Sequence, residues 1–319
     1  MAKTYFAGID LGGTNLRTAI VDRDKNLLGR FEMPTLAQEG PMAVVERLAQ
    51  GVRESAAAAR IAMEDIAAIG IGAPGPLDAA KGIVIEAPNL PGWIDFPVAH
   101  HLRQAAGIDA YLENDANVAG YGEFWAGAGQ GASTMVLMTL GTGIGGAIIV
   151  DGRLHAGADG TAGEIGHVCV ADGGRMCNCG RRGCLEAYAS APATVARFQE
   201  AAARGWPTRL QNRPNLTCAD IFEAAAEGDD LARQIAEETG RYLGIMAGSM
   251  ANLLNPDRCV FYGGMVRAGE LLFAPLREAA RRQSFKTPFS RMRILPAALG
   301  EDAGLLGAAA CAMRRHDGG

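Results

Sequence analysis

The sequence predicts an α/β fold of two domains around a cleft, and three observations carry that expectation. Strand-like and helix-like segments alternate through both halves of the chain. A strand, a glycine turn and a second strand recur near the start of each half, first at Gly8-Ile9-Asp10-Leu11-Gly12-Gly13-Thr14-Asn15 and again from Met138 to Val150. Between these halves and the C-terminal helices, His167, Cys177, Cys179 and Cys184 crowd one short loop, a ligand set suited to a metal staple.

Taken in order, the elements follow from local pattern. After the first glycine turn, Leu16-Arg17-Thr18-Ala19-Ile20-Val21 is rich in β-branched residues, and another apolar run follows at Leu27 and Leu28. A dinucleotide-binding turn must open a helix, so strand after strand disfavours that reading. Pro41 to Ile61 reads as a helix, with proline suited to its first turn and Val44, Val45, Leu48 and Val52 on one face. Ile66 to Gly72 is a buried strand ending in the turn Ala73-Pro74-Gly75-Pro76. A short helix from Pro97 to Ala106, a strand from Ile108 to Leu112 and a helix from Asn114 to Ala128 come next. Helices are expected from Ala191 to Gly205 and from Thr217 to Asn255, the latter broken near Gly228. A strand at Cys259 to Tyr262, a helix around Glu270 to Gln283, a strand near Ile294 and a final helix from Asp302 complete the pattern. Trp206 to Pro214 reads as a loop too short to link domains.

Composition narrows the function classes. The 319 residues suit about two domains, and 49% hydrophobic with 20% charged residues is the balance of a globular protein with full cores. A net charge of -5 supplies no basic field for a nucleic-acid backbone, so nucleic acid is not expected as a partner. Met1 to Phe6 lacks the apolar core of a signal peptide, and no window reaches the ~18 apolar residues of a membrane span. A cytoplasmic protein with no membrane partner is the expectation.

A tight glycine hairpin exposes backbone N–H groups that can hold phosphate oxygens without a helix. Asp10, at the end of the first strand, would face those phosphates and reach them through magnesium. On its own the first motif reads equally well as a plain hairpin. Its second copy, Thr139-Leu140-Gly141-Thr142-Gly143-Ile144-Gly145-Gly146, favours two similar domains facing one phosphate chain, with Thr14 and Thr142 adding hydroxyl donors. That layout resembles the actin-like (ribonuclease H-like) ATPase and sugar-kinase fold.

The cysteine loop has two readings. Three thiolates and an imidazole can close a tetrahedral zinc site; the alternative is a disulfide with a leftover thiol, which a reducing compartment disfavours. Cys169, Cys218, Cys259 and Cys311 read as small apolar residues. Glu164 and Glu186 stand at either end of the loop, so a metal there would bring two carboxylates toward each other.

With Glu113-Asn114-Asp115-Ala116-Asn117, Glu164-Ile165-Gly166-His167, the run from Cys177 to Glu186 and the closing Leu299-Gly300-Glu301-Asp302-Ala303-Gly304-Leu305-Leu306-Gly307-Ala308, the chain resembles the ROK family of sugar kinases and repressors over nearly its whole length. The segments Thr139 to Gly146 and Cys184 to Ser190 look most like those of bacterial glucokinases. The resemblance implies an ATP-dependent hexose kinase that makes glucose 6-phosphate, with Asp115 as general base. It implies a sugar pocket of Asn89, Asn114, Asp115, Glu164, His167 and Glu186, residue types that each engage more than one hydroxyl. Gly12, Gly13, Thr14, Asn15, Gly141, Thr142 and Gly143 would surround the phosphates. Gly263 and Gly264 would let adenine approach the backbone, or else form an ordinary strand-to-helix turn. Zinc on His167, Cys177, Cys179 and Cys184 would be structural, magnesium would accompany ATP, and a homodimer is implied. Trp93 has two readings, a sugar-stacking ring or a loop anchor.

The family resemblance also implies a smaller domain over 1–115, a larger one over 116–301 carrying the zinc loop and sugar residues, and a C-terminal helix at 302–319 packed back on the first. Kinases of N-acetylglucosamine, N-acetylmannosamine or fructose are the alternative enzymes, and polyphosphate the alternative donor, for which only Arg17 stands near the turns. A non-catalytic sugar sensor or repressor is the alternative of another class. It is disfavoured by the presence of Asp115 and by the seven residues before Gly8, too few for a helix-turn-helix domain.

Overall fold

The computed structural model describes residues 4–87 and 89–318. Its α/β alternation is built around two five-stranded mixed sheets. The first begins as an antiparallel meander of β1 (Tyr5–Leu11), β2 (Asn15–Asp22) and β3 (Leu27–Pro34). The helix α1 (Pro41–Ala59) starts on a proline whose fixed φ suits a first turn, buries Val44, Val45, Leu48 and Val52, and leads to β4 (Ile66–Ala73), parallel to β1. Three short strands, β5 (Leu77–Asp78), β6 (Ile83–Glu86) and β7 (Ile94–Phe96), then form a separate antiparallel sheet. After α2 (Val98–Ala106), β8 (Ala110–Asn114) pairs in parallel with β4 and closes the order β3-β2-β1-β4-β8.

The helix α3 (Asp115–Ala126) follows β8 without a linker. Asn114 ends the strand and caps the helix, its side chain accepting the N–H groups of Ala116 and Asn117, which are two of the orphan donors of a first turn. The second sheet then repeats the opening with β9 (Met135–Leu140), β10 (Ile144–Val150) and β11 (Arg153–Leu154). A long excursion carries the cysteine loop and α4 (Glu186–Ala189), α5 (Ala191–Ala203), α6 (Cys218–Ala226) and α7 (Asp230–Leu254). The chain returns through β12 (Arg258–Tyr262), α8 (Glu270–Gln283), α9 (Lys286–Arg291) and β13 (Arg293–Pro296), giving β11-β10-β9-β12-β13, before α10 (Asp302–His316).

Each sheet supports its own large apolar cluster. One gathers Ile9, Leu16, Ile20, Leu48, Ile69 and Val98 from the first sheet, α1 and α2; the other gathers Met138, Phe198, Ile221, Leu243, Phe261 and Leu276 from the second sheet and α5 to α8. The last helix, α10, lies against β1, β4 and α3. Glycine makes that approach possible: a Cβ on Gly70 would fall 1.8 Å from the carbonyl oxygen of Ala308, and one on Gly307 would fall 1.7 Å from that of Val118.

Several expectations shift by small amounts. The strand expected from Ile108 starts at Ala110, because Gly107 closes α2 in the left-handed conformation and β4 pairs only from that point. Gly228, at φ 93, divides α6 from α7. The small sheet β5 to β7 and the helix α9 are absent from the pattern reading, since elements of two to six residues carry too little periodicity to register. Cys169 is exposed, unlike a small core residue, and pairs across a β-bridge with Cys184; Cys311 is half-buried, while Cys218 and Cys259 are buried. The segment Met1 to Lys3 and the end of the expected C-terminal helix at Gly319 lie outside the described residues. No described helix is long and apolar enough to cross a membrane.

Candidate active site

A cavity of 670 Å³ opens between the two sheets. The junction of β8 and α3 supplies Asn114 and Asp115 to its wall. From β1 comes Asp10, and from the β9–β10 turn come Gly141, Thr142 and Gly143. Glu164, His167 and Glu186 reach it from the excursion after β11, and Gly263 and Gly264 from the end of β12. Eleven candidate residues far apart in sequence therefore share one wall.

Asp115 is the first residue of α3, and its Oδ1 accepts the N–H of Ala116 at 2.8 Å. The residue's surface is open, but open to the cleft, and the surrounding walls strip water from the carboxyl. That desolvation pushes its pKa above the ordinary carboxylate range, the charge of Asp10 adds to the shift, and the Ala116 N–H pulls the other way. Asp10 in turn accepts from Arg17 Nη2 at 2.7 Å, so its charge is partly matched within the same hairpin.

The β9–β10 turn is fastened from behind. Glu186 Oε2 accepts the N–H of Ile144 at 3.0 Å, and Gly141 accepts the N–H of Ala191 at 3.0 Å. A Cβ on Gly143 would stand 2.7 Å from Glu186 Oε2, so glycine at that position is what lets the carboxylate approach. At the other end of the wall Gly263 holds φ 113, where a Cβ would lie 2.4 Å from the carbonyl oxygen of Leu140.

His167, Cys177, Cys179 and Cys184 offer ligand atoms that all lie within 4.8 Å of one another. Cys177 Sγ is 3.7 Å from His167 Nδ1, and Cys179 Sγ is 3.6 Å from Cys184 Sγ. Ligands at about 2.0–2.3 Å around a tetrahedral ion stand roughly 3.5–3.8 Å apart, so the donor set and its spacing fit zinc. Backbone bonds shape the loop locally: Cys177 accepts the N–H of Gly180 at 2.9 Å and gives its own N–H to Arg181 at 2.8 Å, with Gly180 and Gly183 at φ 82. Arg175 N–H donates to the Tyr188 hydroxyl at 2.7 Å, and its guanidinium pairs with Glu200, tying the loop to α4 and α5. Cys177 also donates to Glu186 Oε1 at 3.8 Å, so a cysteine of this cluster touches a cavity carboxylate directly.

Other expected residues lie outside the wall. Gly12, Gly13, Thr14 and Asn15 form the β1–β2 turn, which Thr35 fastens through its hydroxyl to the Gly12 carbonyl at 2.7 Å, and none of the four lines the cavity. Asn89 is exposed and sits beside that turn, its Cβ 2.9 Å from where one on Gly13 would stand. Trp93 takes the anchor reading: it is buried, its ring packs 4.9 Å from that of Phe96, and it does not line the cavity. The sequence reading missed Gly75, Pro76 and Leu77, the segment Gly160 to Gly163, and Gly304. The second of these had a signal, three glycines at 157, 160 and 163, each with positive φ.

Known proteins resemble the chain at the level of both sequence and fold. The pattern of the ROK family matches residues 6–315. A glucokinase of Thermotoga maritima is 38% identical over 323 residues, covering 100% of both chains. The crystal structure of a ROK hexokinase from Thermus thermophilus superposes with a TM-score of 0.88 at 35% identity, over 99% of this chain and 100% of that one. A ROK family glucokinase from Streptomyces griseus, solved in complex with glucose and AMPPNP, gives a TM-score of 0.78 at 32% identity over 97% and 99%.

Proposed function

The chain belongs to the ROK family, and on that premise we propose that it is an ATP-dependent glucokinase, transferring the γ-phosphoryl group of ATP to the 6-hydroxyl of glucose. The observation that carries the reading is Asp115, a partly desolvated carboxylate that shares one cavity with a glycine turn suited to phosphate and a cluster of groups suited to sugar hydroxyls. Asp115 takes the proton of the attacking hydroxyl. Its basicity matters less than its position, because the phosphoryl group passes through a loose transition state and the proton leaves late. Burial raises the basicity somewhat in any case.

Asn114, Glu164, His167 and Glu186 hold the sugar around Asp115. His167 has a ring nitrogen left over when Nδ1 faces the thiols, and that nitrogen is available to a hydroxyl. The Gly141 N–H donates to the Gly143 carbonyl at 3.1 Å, so the backbone N–H groups of Thr142 and Gly143 receive phosphate oxygens, with Gly141 shaping the turn, and Gly263 and Gly264 leave a flat surface for adenine. Asp10 is the side chain that would hold the magnesium accompanying ATP, whose charge offsets that of the phosphates. Zinc on His167, Cys177, Cys179 and Cys184 is structural: those side chains fix Glu164 and Glu186 at a set separation. Residues 1–115 with the C-terminal helix form one lobe and 116–301 the other, and the lobes close over the sugar to exclude water.

A coupled assay tests the reading. Purified protein with ATP, magnesium and glucose should release ADP and form glucose 6-phosphate, which glucose-6-phosphate dehydrogenase detects specifically. ADP release without that product, or no glucose-dependent ADP at all, overturns it.

A further inference from the structure

We propose that Glu123 is a positioning residue for phosphoryl transfer: it pins both chain crossings between the two sheets and so fixes the helix that presents Asp115. The inference rests on the kinase reading above. The chain passes between the sheets twice, once from α3 to β9 through residues 127–134 and once from β13 to α10 through residues 297–301. Glu123, near the end of α3, is fully buried, a setting in which a carboxylate is expensive unless it is paired or hydrogen-bonded. Among the described residues it has no cationic partner. Its acceptors are filled by backbone alone.

Between them the two carboxylate oxygens reach both crossings. Oε2 accepts the N–H of Ala128 at 2.8 Å, on the first crossing, and that of Ala298 at 3.0 Å. Oε1 accepts the N–H of Leu299 at 2.7 Å and of Ala298 at 3.0 Å, both on the second. The backbone carbonyl of Glu123 adds the N–H groups of Gly127 at 3.0 Å and Gly129 at 2.8 Å. Gly127 has room for nothing larger, since a Cβ there would fall 2.2 Å from Glu123 Oε2. An apolar side chain would fill the same volume, but it could not tie two strands of backbone that are remote in sequence.

The position along α3 gives the pin its consequence. Asp115 opens the helix at the cavity, and Glu123 sits two turns further on, about 12 Å along the axis at 1.5 Å per residue. When the lobes close, the crossings must bend. A carboxylate holding both keeps the pivot at the far end of α3, so closure turns the second sheet toward the first without sliding Asp115 along the cleft. A crossing released from the pin would let the helix shift with each closure, and hinge changes of this kind move kcat and KM together.

Glu123→Gln separates this role from simple packing. The side chain keeps its shape, but one acceptor oxygen becomes an NH₂ group facing a backbone N–H, so at least one crossing amide loses its acceptor and the pin is weakened. The expected result is a fall of about tenfold in kcat/KM for glucose, with both kcat and KM changed, and a smaller sugar-induced contraction by small-angle scattering than in the unaltered protein. Unchanged kcat, KM and contraction, with only a lowered Tm, would overturn the proposal in favour of a purely structural carboxylate. Hydrogen exchange in the unaltered protein decides the case if the variant fails to fold. The amides of Ala128, Ala298 and Leu299 should exchange slowly both free and with glucose plus AMPPNP, and rapid exchange at any of them in either state would overturn the pin. Failure of the unaltered protein to phosphorylate glucose would count against the kinase reading instead, and the exchange data would still report on the crossings.

Discussion

The two sheets share a plan but not a task. In each, the first strand pairs antiparallel with the second and parallel with the fourth, giving β3-β2-β1-β4-β8 and β11-β10-β9-β12-β13. The turn of the first hairpin stays at the margin, with Asp10 alone of that hairpin reaching the cavity, and Asp10 is engaged by Arg17. The turn of the second hairpin forms the cavity wall, with Glu186 behind it. What separates them is the chain inserted next. After β11 the excursion brings Glu186 onto the second turn and Glu164 and His167 to the same cavity, whereas the first half inserts α1 and the small sheet β5 to β7. A repeated topology places two equivalent turns, and the chain inserted after each differs where one of them lines the cavity.

Asp115→Asn should break the comparison at its centre. The junction of β8 and α3 keeps its cap through Asn114, so the fold survives, but loss of a general base lowers the rate by about 10²–10⁴. The same change should raise Tm near neutral pH. The folded-state pKa of Asp115 lies above its ordinary value, so between those two values the folded state binds more protons and stability falls as pH rises; above them the ionised carboxylate is a standing penalty. Asparagine removes that penalty, and the gain over the unaltered protein should vanish as pH drops below the ordinary carboxylate range. Thermal melts across pH check the sign.

Disrupting the cysteine loop should damage the second half and spare the first. Cys179→Ser should release one equivalent of zinc by elemental analysis, lower Tm and raise the KM for glucose roughly tenfold, since it loosens the loop between Glu164 and Glu186. Hydrogen exchange in β1 and β4 should be unchanged. A protein that purifies without zinc, its three thiols freely titratable, would remove the basis of this expectation. Gly143→Ala is a smaller wedge: its Cβ would displace Glu186, and glucose KM should rise several-fold while the KM for ATP moves less. The mildest test is Arg17→Gln. Asp10 would lose its partner and its charge would bear more fully on Asp115, so the acidic limb of kcat/KM should move up by less than about one pH unit.

Much of this organisation was legible because long elements carry strong periodicity. The helices α1, α5, α7 and α8 and both glycine hairpins stand out in the sequence, as do the cysteines, whose spacing is itself chemical information. The cavity wall was less so. Pro76 leads into, and Leu77 begins, a sheet whose strands are two to four residues long, and the stretch from Gly160 to Gly163 has no apolar period, only spaced glycines. Conversely, Gly12 to Asn15 and Asn89 match motifs yet stand outside the wall, because which turn faces the cavity depends on packing between the sheets. Glu123 reads in sequence as one more polar helix residue; only the return of residues 298–299 beside it gives its carboxylate two crossings to hold.

A pocket matched to the free hydroxyls of glucose is tested by kcat/KM for ADP release over glucose, mannose, fructose, N-acetylglucosamine and N-acetylmannosamine under one set of conditions. An N-acetyl group at carbon 2 would leave polar partners in the cleft unmatched, and sites built around a substrate hydroxyl can discriminate by up to about 10⁴–10⁵ when closed. Glucose should give the highest value of the five. A higher value for either N-acetylated sugar would contradict a pocket built around the free hydroxyls of glucose.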